Sequence, residues 1–142
     1  MTRRSARIEL IRRIVRDGRI KTQSELVERL LESGYKVTQA TISRDITEMR
    51  LQKSQVGGYY VLPEDVFVRH MVQELVTEVV PAQNLVVVKA SSGAAMGVAA
   101  ALDGAELEGI VGSIAGDDTI LLITADNATA SVLASAILSF KA

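Results

Sequence analysis

Only three residues, Tyr35, Lys36 and Val37, separate Gly34, which stops one amphipathic run, from Thr38, which opens the next. A connection that short between two helices is the turn of a helix-turn-helix. Thr38 is a good N-cap, and Ile42, Ile46 and Met49 then recur at i, i+4 and i+7, which puts them on one buried stripe. The opposite side is polar. It carries Gln39, Thr41, Ser43 and Arg44 near the helix N-terminus, the end such proteins push into the major groove, and Gln and Arg each reach two atoms on a base edge. Any surface helix has a polar outer face, so the assignment as a recognition helix leans on its surroundings.

Those surroundings agree. Upstream, Ile8, Ile11 and Val15 make a first apolar stripe ending near Gly18, and Thr22 with Glu25 reads as a capping box opening a second helix with Leu26, Val27, Leu30 and Leu31 inside. Downstream the period changes. Leu51 to Gln55, Gly57-Gly58 and Tyr59 to Leu62 read as two short strands around a glycine turn, a wing that offers Lys53, Ser54 and Gln55 to phosphates or a neighbouring minor groove. An ordinary sheet edge with a solvated lysine is the plainer reading of that hairpin.

Charge divides the chain at the same place. Residues 1–62 hold thirteen Lys/Arg against seven Asp/Glu, net +6, whereas residues 63–142 hold three against ten, net −7. A basic half can neutralise phosphates, and Arg3, Arg4, Arg7, Arg12, Arg13 and Arg16 crowd the first helix. An Arg-rich start also suits a transit peptide, but an apolar stripe runs through it and no cleavage pattern follows. The expected organisation is a DNA-binding domain over 1–63, a linker over 64–75 passing into a short helix (Val68, Val72 and Leu75 at helical spacing), and a second domain over 76–142. No cysteine occurs, which removes disulfides, thiolate catalysis and Cys-based zinc sites, and no apolar run approaches the ~20 residues of a membrane span. A soluble, cytoplasmic protein is expected. His70, the lone histidine, reads as solvated or capping rather than as a metal ligand.

The second half alternates two strands, a helix, two strands and a helix: 76–82, 85–90, 94–102, 110–115, 119–125 and 128–140. The fold class expected is therefore α+β, a winged helix-turn-helix followed by an oligomerising α/β two-layer sandwich with an antiparallel-type sheet. The runs Leu85 to Val88 and Ile120 to Ile123 are continuously apolar, which predicts strands covered on both faces and hence another subunit.

Two segments here suit a ligand. Ser91-Ser92-Gly93 precedes a helix whose free N–H groups favour a carboxylate or phosphate, though glycine before a helix is also plain turn chemistry. Gly116-Asp117-Asp118 sets two carboxylates side by side, whose repulsion a bound cation would relieve, though Asp is common in turns. Together they suit a ligand with a negative and a positive end, and a guanidinium matches a carboxylate bidentately. Paired Asp could instead hold Mg²⁺ for phosphoryl chemistry, but no further carboxylates and no base accompany them, so no catalytic activity is expected.

The segments Thr38 to Ile46, Tyr59-Tyr60-Val61-Leu62-Pro63, Gly93-Ala94-Ala95 with the helix running to Asp103, and Gly112 to Ile120 resemble, in order and spacing, the bacterial arginine repressor family. The resemblance covers nearly the whole chain. It implies a transcriptional regulator that binds palindromic operators in double-stranded DNA as a homo-hexamer, a dimer of trimers. L-Arginine is then the co-repressor and no other cofactor is implied, with arginine biosynthesis repressed and catabolism a target for activation. Carried over by position, Ser43 and Arg44 contact DNA with Gln39 and Thr41 beside them. Asp117 and Asp118 hold arginine at the interface between trimers, and Ala95, Asp103, Ser113 and Ala115 line the site. Met96 stands where the family usually has Gln, and a thioether accepts hydrogen bonds only weakly. Ser113 stands where Thr is frequent. An accessory or architectural DNA-binding protein of the same family, independent of arginine, is the alternative that Met96 leaves open.

Overall fold

A computed structural model describes residues 2–55 and 57–141. The chain divides into two compact units, residues 1–63 and 64–142. The first contains α1 (Arg3–Asp17), α2 (Gln23–Glu32), α3 (Gln39–Met49) and a two-stranded hairpin of β1 (Gln52–Lys53) and β2 (Tyr60–Val61). Each helix starts on a threonine: the side chains of Thr2, Thr22 and Thr38 accept from the amides of Ser5, Glu25 and Thr41. The expected capping box is displaced by one position, because the Glu25 carboxylate accepts from Lys21 N (3.4 Å) rather than from the amide of the cap itself. Gly34, at φ +88°, turns the chain out of α2 and lets Tyr35 N donate to Leu30 O at 2.8 Å.

Ile11, Val15, Ile20, Leu26, Leu30, Ile42, Tyr60 and Leu62 form the core of this unit. Leu31, expected inside, is 58% exposed. It is one residue on from Leu30, and a step of about 100° around the axis carries it off the buried face. In the hairpin, Gln52 pairs with Val61 and Lys53 with Tyr60, while Gly57 and Gly58 take φ +87° and +65°. Tyr60 N donates to Ile20 O (2.8 Å), which ties the wing to the segment after α1.

The second unit begins with α4 (Pro63–Leu75), followed by β3 (Val76–Ala82), β4 (Leu85–Ala90), α5 (Ala95–Gly104), β5 (Gly112–Ala115), β6 (Thr119–Ile123) and α6 (Asn127–Ser139). The four strands form one antiparallel sheet in the order β3-β4-β6-β5. The segment expected as a linker passing into a short helix is helical from Pro63 to Leu75 as α4. Val68 and Val72 are fully buried in the core of this unit, and burying two valines outweighs leaving the segment solvated.

Burial along β4 and β6 alternates, so the helices of this unit cover one face, and the other is the face for which the apolar runs led to the expectation of another subunit. Val86, Val88, Ile120 and Leu122 are fully buried against the helices, because α5 and α6 lie on one face of the sheet. On the other face the cross-strand row Val80, Val87, Leu121, Ile114 runs over all four strands, with Val80 39% and Ile114 64% exposed.

Candidate functional site

The outer side of α3 carries Gln39, Ser43 and Arg44, all exposed, with Thr41 half-buried beside them. Thr41 lies in the cap, its hydroxyl 3.1 Å from that of Thr38, and Gln39 Nε2 is 3.5 Å from Gln23 Oε1 on α2. Arg44 has no hydrogen-bond or ion-pair partner among the described residues, so its guanidinium is available to a ligand. Lys53 is exposed on β1, in the wing rather than on α3. Its ammonium donates to the carbonyl of Lys21 and stands 4.3 Å from the centre of the Tyr60 ring, which fastens it to its own unit.

Sequence patterning missed how α3 is held. Asp45 lies on its inner face, 3% exposed, and receives Arg7 Nε at 2.7 Å and Nη2 at 3.0 Å. That hydrogen bond is the main reason the Arg7 guanidinium is held above its usual range, against the opposing effect of partial burial. Arg4 pairs with Glu48 one turn further on. Two of the arginines expected to face phosphates therefore face carboxylates. The available signal was the matching spacing, Arg4 and Arg7 against Asp45 and Glu48.

In the second unit the helix start and the paired-Asp turn, noticed separately in the sequence, meet. Ala95 N donates to Asp117 O (3.2 Å), Ala90 N to Asp118 O (2.8 Å), and Ser92 Oγ to Asp117 Oδ2 (3.2 Å). Lys89 Nζ donates to Thr119 Oγ1 and the Thr119 hydroxyl to Asp118 Oδ1, both at 2.9 Å, so a cation one residue from the end of β4 steadies the carboxylate. Lys89 and Thr119 were not singled out in the sequence, although a lone lysine in an apolar strand was the signal. Asp117 and Asp118 are exposed; Ala95 is fully buried with its amide already engaged.

Asp103 and Ser113 form a different corner. Ser113 Oγ lies 3.3 and 3.4 Å from the two Asp103 carboxylate oxygens. They border a cleft of about 420 Å³ whose walls include Leu102, Leu107 and Ile110. Ala95 and Asp103 lie eight residues apart on α5, about 12 Å at 1.5 Å per residue. Ala115, half-buried at the end of β5, leads into the turn. Met96 is 73% exposed in the first turn of α5. His70 is exposed on α4. Among the described residues no helix is long and apolar enough to cross a membrane.

Three helices, a short turn before an exposed polar recognition face, and a wing define a DNA-binding regulator with a separate α/β unit. Comparison with known proteins narrows the class. The family described as "Arginine repressor, DNA binding domain" matches residues 2–67, and that described as "Arginine repressor, C-terminal domain" matches residues 72–139. Similar proteins named arginine repressor include one from Halothermothrix orenii, 44% identical over 78% of this chain and 81% of its own. Others are from Caldicellulosiruptor saccharolyticus (43%, 89% of this chain and 90% of its own) and Thermus thermophilus (41%, 94% and 87%). The chain belongs to the arginine repressor family.

Proposed function

We propose that this chain regulates transcription in response to L-arginine, binding palindromic operators as a homo-hexamer built from two trimers, with arginine as co-repressor of arginine biosynthesis genes. The observation that carries this reading is the corner where the Asp117-Asp118 turn is bonded to the start of α5. Exposed carboxylates offer a bidentate site for a guanidinium, and the helix start favours the carboxylate end of an amino acid. DNA contact falls to Ser43 and Arg44, assisted by Gln39 and Thr41.

Assembly is supported by the sheet face that, among the described residues, no helix of the second unit covers. A row of four apolar side chains, with Ile114 64% exposed, is stabilised by a second copy laid against it. Asp103 lies eight residues along α5 from Ala95, whose amide meets the Asp117 turn, so the two corners are separate parts of the chain's surface.

Calorimetric titration of the purified chain with L-arginine tests the reading. Saturable heat with a stoichiometry of whole sites per subunit supports it. An absence of binding, with operator affinity intact, favours the arginine-independent accessory protein, for which solvent-facing Met96 is the specific observation.

A further inference from the structure

The recognition helix carries more acid than base: its charged residues are Arg44, Asp45 and Glu48. Taken alone, α3 would bring net negative charge to a polyanion whose phosphates supply most of the affinity. Both carboxylates are taken up by α1, and the two pairs differ in kind. Arg4–Glu48 is 63% and 56% exposed, a setting in which ion pairs contribute little. Arg7–Asp45 is 15% and 4% exposed and closes two hydrogen bonds at once, so removing either partner leaves a desolvated charge behind.

We propose that Arg7 and Asp45 are positioning residues for sequence reading, their two-point bond setting the rotation of α3 about its axis and thereby the aim of Ser43 and Arg44. Asp45 follows those two residues directly in the helix, so any roll that breaks its bond to Arg7 carries both side chains with it. Hydrogen bonds to base edges need both position and direction, whereas phosphate contacts carry no sequence information and survive a small roll. The apolar anchors do not supply the same restraint. Ile42 is fully buried, but Ile46 and Met49 are only partly so, and apolar contact is non-directional. The inference rests on the chain being a sequence-reading regulator.

Arg7→Lys in the full-length chain is the direct test, because lysine keeps the charge and loses the planar fork. A duplex enriched by the wild type from a randomised pool is the specific probe, and the unselected pool is the non-specific one. The affinity ratio between them should fall about tenfold or more, the scale of losing a base-edge contact, while affinity for the pool stays within about twofold. Asp45→Asn should lower the ratio likewise, even though it makes the helix less negative. Should Arg7→Lys lose its helical circular-dichroism signal, Asp45→Asn decides alone. A wild-type ratio in the folded variants overturns the proposal and leaves the pair a purely structural role, and so does an equal loss on both probes. A wild type that enriches no sequence from the pool overturns the regulator reading itself.

Discussion

The amide of Ala95 donates to the backbone carbonyl of Asp117 at 3.2 Å, so the first turn of α5 and the β5–β6 turn form one corner although they are distant in the chain. The Asp118 carboxylate beside it is oriented by Thr119 and, through Thr119, by Lys89.

Asp118→Asn preserves the shape of that corner and removes one charge. Arginine binding should weaken by about 1.5 to 3 kcal/mol, the size of a charge-assisted hydrogen bond, with the fold unchanged. Sedimentation profiles with and without arginine should shift for the wild type toward the hexamer and shift less for the variant. An unchanged response in Asp118→Asn would remove the turn from the effector site.

Arg44→Ala removes the free cation on the outer face of α3. The cost should be about 1 to 3 kcal/mol per half-site on the operator, with sequence preference relaxed, if the side chain reads a base edge. Titrations over a salt series separate the alternatives. Equal losses on operator and random DNA, with a shallower salt slope, would make Arg44 a phosphate contact only.

Because Val68 and Val72 are fully buried in the second unit, the place where a fragment begins decides whether it folds. A fragment of residues 64–142 should assemble by itself, whereas one of residues 76–142 should be less stable by several kcal/mol, at roughly 1.5 to 3 kcal/mol per buried valine. Residues 1–63 should be monomeric and bind operators weakly, since joining weak modules raises their effective concentration. Analytical ultracentrifugation and thermal unfolding of the three fragments check this, and a monomeric 64–142 fragment at micromolar concentration contradicts it.

Asp126 caps α6, its Oδ1 accepting from Thr129 N at 2.7 Å, and hydrogen bonds from the side chain and backbone of Thr129 hold the carboxyl below its usual range. A group whose folded pKa is depressed stabilises above its unfolded value, and that stability is lost as pH falls through the folded value. Asp126→Ala should therefore lower the thermal midpoint at neutral pH, with the gap to wild type narrowing as the medium is acidified below the ordinary Asp pKa. A pH-independent gap would mean that the cap acts without its charge.

Local chemistry was legible in the sequence. Thr22 and Thr38 open their helices as caps, the glycine pair turns the hairpin, and the strand limits at Val76 to Ala82 and Leu85 to Ala90 lie where the β-branched runs lie. These features depend on residues within one or two turns of each other, so composition and spacing suffice. Tertiary structure alone decided the rest. Periodicity cannot say which of two neighbouring leucines faces inward, which is why Leu31 is outside and Leu30 inside. Nor can a count of arginines say which will meet phosphate: Arg7 meets Asp45 instead, across thirty-eight positions of sequence. The same holds for the sheet, where an unbroken apolar run fits a strand covered on both faces as well as one covered on one. Only the placement of α5 and α6 on a single side leaves the row from Val80 to Ile114 open. Such contacts depend on how distant elements dock, and docking is settled by the shape and charge of surfaces that exist only once the chain has folded.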